Sequence, residues 1–111
     1  MVPNSQRSKE SQVSQLAKFF PDSAPVRIPV RLTFAGSGGP LSEQTVIEFG
    51  TPREVLFVSS LPLEFADKLR LENADGSLEA DASVVALQYH NGRTAVAARF
   101  TREVRNWIVK S

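Results

Sequence analysis

The sequence predicts a mainly β fold, an antiparallel barrel or compact sandwich of six short strands with a helix near each end. Three observations carry this: a hydrophobic period of two recurs between Val26 and Phe100, turn-forming residues separate the runs, and helical spacing takes over near both termini. The 111 residues bound one compact domain, read as a helix and connector over 1–25 and a β body with a closing helix over 26–111.

From Ser5 to Phe20 the chain is largely polar, with apolar Val13, Leu16, Ala17 and Phe20 on one face. Their i, i+3, i+4, i+7 spacing predicts an amphipathic helix with one narrow apolar stripe. Pro21 stops it, and Asp22-Ser23-Ala24-Pro25 reads as a connector, because Pro25 disfavours helix for the residue before it. The stripe either packs on the β body or offers Val13, Leu16 and Phe20 to a partner.

From Val26, apolar Val26, Ile28, Val30 and Leu32 alternate with Arg27, Pro29, Arg31 and Thr33, a half-buried strand with both arginines on its solvent face. Pro29 has no amide for a ladder, which places this strand at an edge or beside a bulge. Ala35 to Ser42, containing Gly36-Ser37-Gly38-Gly39-Pro40, reads as a flexible connection, and Thr45 to Phe49 as a second short strand. Val55-Leu56-Phe57-Val58 is a compact apolar strand, Lys68 to Glu72 alternates, and Asn73-Ala74-Asp75-Gly76 turns the chain back.

Apolar or small residues then fall at Leu78, Ala80, Ala82 and Val84, and next at Val85, Leu87 and Tyr89. The phase slips by one between Val84 and Val85, which demands a bulge or sharp bend if one face is to stay buried. Asn91-Gly92 is the strongest local signal, a two-residue hairpin turn needing positive φ at both positions. Thr94 to Phe100 forms the sixth strand. Val104, Trp107 and Ile108 at helical spacing, with Thr101 at the N-cap, predict a short closing helix.

Composition narrows the function. Thirteen Lys and Arg against twelve Asp and Glu leave a net charge of +1, a poor fit to a generic nucleic-acid binder. Without cysteine there is no disulfide framework, thiolate nucleophile or Cys-based zinc site, which fits a reducing compartment. No apolar run approaches the roughly 18 residues that span a bilayer, and the first residues lack the apolar stretch of a signal peptide. The expectation is a soluble cytoplasmic protein without membrane insertion.

No enzyme signature emerges. The single histidine, His90, sits beside the Asn91-Gly92 turn without ligand or base spacing around it. The glycines of 36–39 lack the Gly-Lys-Ser/Thr ending of a phosphate loop, and Glu72, Asp75, Glu79 and Asp81 lack the alternate-oxygen pattern of a calcium loop. The expectation is no catalysis, no metal and no cofactor. Arg27 and Arg31 remain, separated by four strand residues at about 3.3 Å each, roughly 13 Å along one face. That spacing suits two groups of an extended anion, or solvent-side arginines paired with acids of the middle segment.

The blocks Arg27-Ile28-Pro29-Val30-Arg31-Leu32, Val55-Leu56-Phe57-Val58-Ser59-Ser60-Leu61-Pro62-Leu63 before Lys68-Leu69-Arg70-Leu71, Ser83-Val84-Val85-Ala86-Leu87 and Ala95-Val96-Ala97-Ala98-Arg99-Phe100 together resemble a PilZ domain over about Val26 to Phe100. The resemblance implies a six-stranded antiparallel β-barrel, bacterial second-messenger signalling and a possible ligand, cyclic di-GMP. The family binds it through an Arg-x-x-x-Arg stretch and an Asp/Asn-x-Ser-x-x-Gly stretch. Arg27 to Arg31 matches the letters of the first. The family's second arginine, however, usually stands immediately before the apolar strand, a register that puts Arg27 there and Ser23 at the first position.

In the second stretch Phe49 stands for Asp/Asn, Thr51 for Ser and Glu54 for Gly, with Pro52 and Arg53 between. A carboxylate facing a dianion is unfavourable at close range, and Arg53 would have to offset it. The resemblance with these departures implies a non-enzymatic adapter acting through protein contacts, with weak or absent cyclic di-GMP binding. Val13, Leu16 and Phe20, or Trp107 of the closing helix, are its expected contact residues. The alternative is a cyclic di-GMP receptor using Arg27, Arg31, Thr51 and Arg53.

The near-neutral charge is itself segregated. Residues 1–31 carry +3, residues 32–90 carry −6 and residues 91–111 carry +4. An acidic middle enclosed by two basic ends leaves room for a local anion site near Arg27 and Arg31.

Overall fold

The computed structural model describes residues 12–36, 38–102 and 104. Six antiparallel strands close into a barrel: β1 (Ala24–Gly36), β2 (Gly39–Gly50), β3 (Glu54–Ser59), β4 (Lys68–Glu72), β5 (Glu79–His90) and β6 (Arg93–Phe100), preceded by α1 (Gln12–Ala17). Around the barrel the order is β1-β2-β3-β6-β5-β4, and the ladder from Arg31↔Glu72 to Phe34↔Leu69 completes the circuit.

The alternation expected for β1 places Val30 and Leu32 inside, with Arg27 and Arg31 exposed. Pro29 sits next to the register shift between Pro25 and Ile28, where its missing amide costs the ladder least. β1 begins at Ala24, so the connector is shorter than its composition suggests: Ala24 and Pro25 already pair with Gly50 and Phe49. The stretch expected to be a flexible connection is instead the tip of a long hairpin. β1 and β2 pair through Phe34↔Leu41 to Gly36↔Gly39, and Gly39 takes a φ of +118°, open to glycine and strained for any other residue.

The later signals hold in detail. The bulge falls between Val84 and Ala86, as the phase slip requires. Asn91 and Gly92 have φ of 51° and 81°, both positive as the two-residue turn demands. Because β3 neighbours β6 and β4 neighbours β1, the connection from β3 to β4 crosses one end of the barrel. Leu63 is buried there and Leu61 packs on the core beside it. The connection is stitched to the bulge by Ala66 N–H donating to the Val84 carbonyl and Val84 N–H donating to the Asp67 carbonyl, both at 2.9 Å.

β3 and β6 are buried on both faces, which explains their continuous apolar runs. Val55, Phe57, Val96, Ala98 and Phe100 fill the interior, while Leu56, Ala95 and Ala97 face outward against Val13, Leu16 and Ala17 of α1. The two alanines leave the room that lets a helix lie close on the sheet. Burying Val13 and Leu16 contributes about 1.5–3 kcal/mol each. The helix ends in tight i→i+3 bonds from Lys18, Phe19 and Phe20, ahead of Pro21. Residues 5–11 of the expected helix, and the expected closing helix beyond Val104, lie outside the described residues. Val104 itself packs against the barrel core.

Candidate functional site

The β2–β3 turn is built around Thr51. Its hydroxyl oxygen accepts from the backbone N–H of Arg53 (2.9 Å) and of Glu54 (2.8 Å), while Thr51 N–H donates to the Glu54 carbonyl at 2.9 Å. The same hydroxyl donates to Glu54 Oε1 at 2.6 Å. Glu54 opens β3 opposite Arg99 of β6, and Arg99 grips its other oxygen, Oε2, through Nε and Nη2, both at 2.8 Å. Thr51 and Glu54 are buried, and this donor set is what a buried carboxylate needs.

An open groove of about 540 Å³ adjoins this network, lined by Thr51, Pro52, Arg53 and Arg99 on one side and by Phe19, Phe20, Pro21 and Asp22 on the other. Phe19 is 72% exposed. Arg53 is exposed, and Phe100 N–H donates to its carbonyl at 2.8 Å, tying the turn to the end of β6.

The residues singled out from sequence divide three ways. Thr51, Arg53 and Phe20 meet in this groove. Arg31 lines a different one of about 300 Å³ with Gln44, Glu72 and Asn73, and stands seven positions along β1 from Ala24, the residue paired with Gly50. At about 3.3 Å per residue that is roughly 20 Å from the Thr51 turn. Arg27 is exposed on the bulged stretch of β1. Neither Arg27, Arg31 nor Arg53 forms an ion pair among the described residues.

Val13 and Leu16, at 0% and 4% exposure, are buried against the barrel wall and have no surface left to offer a partner. The stripe is core because Leu56, Ala95 and Ala97 cover it. Trp107 lies outside the described residues. Phe49 is half-buried and packs with the helix cluster.

Sequence reading missed the partner of Glu54. Arg99, and not Arg53, balances the carboxylate, because the β3–β6 register sets Glu54 and Arg99 face to face. The acidic group of the β4–β5 hairpin is also resolved: Arg70 reaches Glu72, Glu79 and Asp81, and Asn73 and Asp75 bond within the turn to Ser77 and Leu78. Among the described residues no cluster of His, Asp and Glu is placed to hold a metal ion, and no helix is long and apolar enough to cross a membrane. No family model and no curated protein matches the chain.

Proposed function

We propose that this protein is a non-enzymatic PilZ-like signalling adapter of the bacterial cytoplasm, acting through protein contacts with weak or absent cyclic di-GMP binding. The observation that carries the reading is the closed Thr51–Glu54–Arg99 network. Where the resemblance places a ligand-facing serine and a bare glycine, this chain has a hydroxyl already donated to Glu54 and a carboxylate already gripped by Arg99. Where it places a polar acceptor, Phe49 packs under α1. An incoming phosphate would meet a fixed anion and a committed arginine. The groove with Phe19, Phe20 and Arg53 is the surface this reading assigns to a protein partner.

One observation favours the receptor alternative: Arg27, Arg31 and Arg53 are exposed and free of ion pairs among the described residues. Titration with cyclic di-GMP from micromolar concentrations upward, followed by amide and arginine side-chain NMR, separates the two. The adapter reading expects no shifts at Arg27, Arg31, Thr51 or Arg53. Shifts at these residues that saturate at micromolar cyclic di-GMP would overturn it. A partner captured through the groove should be lost on Phe19→Asp or Arg53→Glu with the fold intact.

A further inference from the structure

β5 pairs with β6 out to His90↔Arg93, but its ladder with β4 stops at Lys68↔Ser83, and the two bonds at Val84 extend it by one position only. The two-residue Asn91-Gly92 turn makes His90 and Arg93 a hydrogen-bonded pair, so Leu87 and Tyr89 occupy non-hydrogen-bonded positions relative to β6. Their N–H and C=O groups therefore face the open side, where no described strand lies. Val85 to Tyr89 contains no charge and no proline, the residues that ordinarily guard an edge. Leu87 is 36% and Tyr89 72% exposed.

A second observation falls on the same stretch. Gln88 Oε1 is buried and has no hydrogen-bond partner, beside an open groove of about 310 Å³ formed by Gln12, Gln15, Gln88, Tyr89 and His90. An orphan acceptor of this kind is costly unless something supplies a donor.

We propose that a second copy of the chain adds its own β5 to this edge, antiparallel, about a two-fold axis at Gln88. Only an extended strand offers alternating N–H and C=O groups at the required spacing, and this edge is complementary to itself. Leu87 pairs with Tyr89 of the second copy and Tyr89 with its Leu87, making about four backbone hydrogen bonds and setting the two exposed apolar side chains against each other twice. Gln88 then faces Gln88 across the axis, with Cα atoms about 4.5 Å apart, so a turn of each side chain out of its buried, unpartnered position pairs the two amides.

This edge shares no residue with the Thr51–Glu54–Arg99 groove, so assembly and ligand binding are separately measurable. The test is sedimentation of the full chain from about 1 μM to about 1 mM, the concentration range of a weak to moderate self-association. The wild type should pass from monomer to dimer, with the Leu87 and Tyr89 amides gaining exchange protection as it does. Gln88→Glu should abolish the dimer at pH 7 by opposing two carboxylates, and regain it as they protonate below about pH 4. Leu87→Lys should raise the dissociation constant at least about tenfold. A wild type that stays monomeric throughout, variants that dimerise equally well, or a dimer without protection at Leu87 and Tyr89 would each overturn the proposal.

Discussion

Two carboxylates fasten the two ends of β3, and they are held by different means. Glu54, at the start of the strand, has a side chain only 12% exposed and is gripped by a guanidinium as well as a hydroxyl. Glu43, reaching from β2 to the far end, is half-buried and takes its donors from Ser59 Oγ (2.6 Å), Ser60 N–H (3.0 Å) and Ser60 Oγ. No cation touches Glu43 among the described residues. The difference follows from water: a carboxylate cut off from solvent needs a counter-charge, whereas one still partly wet is held by neutral donors.

The sharpest way to break this comparison is Glu54→Ala. It leaves Arg99 without its partner and opens the β2–β3 turn, with an expected loss of about 2–3 kcal/mol in urea unfolding. Glu43→Ala should cost less, about 1–2 kcal/mol by the same measurement, since the exposed Ser60 can turn to water and only the buried Ser59 hydroxyl loses its acceptor. If the two losses proved equal, burial would not be what separates the sites.

A pH series tests the second site alone. Partial burial pushes the Glu43 pKa up, but the hydrogen bonds from Ser59 and Ser60, with the charge of Arg93, outweigh it and hold the carboxyl below its ordinary value. A folded-state pKa below the unfolded one, about 4.3, means the ionised form stabilises the fold above that value, and the contribution is lost as pH falls through the lower folded pKa. Glu43→Gln should therefore flatten the acid limb of the stability curve and leave the neutral limb parallel to wild type.

The smallest effect belongs to Arg70. It fans across Glu72, Glu79 and Asp81, and these acids raise its pKa, yet every side chain involved is about half exposed. Arg70→Ala should leave the thermal midpoint within experimental error, at low and at high salt alike.

What the sequence made legible was local. Lys68 to Glu72 reads directly as a half-buried strand, the slip at Val84–Val85 as a bulge, and Asn91-Gly92 as a turn, because each signal and its cause lie within a few residues. The glycine-rich stretch after Ala35 misled for the complementary reason: glycine and serine look the same whether a segment is loose or is a hairpin tip requiring positive φ at Gly39. Thr51 was visible as a hydroxyl standing where the resemblance places a serine. Its meaning was not, because the bond from Arg99 to Glu54 spans 45 residues and exists only through the β3–β6 register. The fate of Val13 and Leu16 was equally hidden, since the same stripe fits a partner's groove or the alanines of β6.

The docking of α1 sets an order on the birth of the fold. The helix rests on β3 and on β6, the last of the described strands, so its seat does not exist until Ala95 and Ala97 have left the ribosome. Until then Val13 and Leu16 travel uncovered, and barrel closure waits on the same strand. The barrel and its helix are therefore expected to form together, in one step that waits on β6 and whose rate is governed by contacts between distant parts of the sequence.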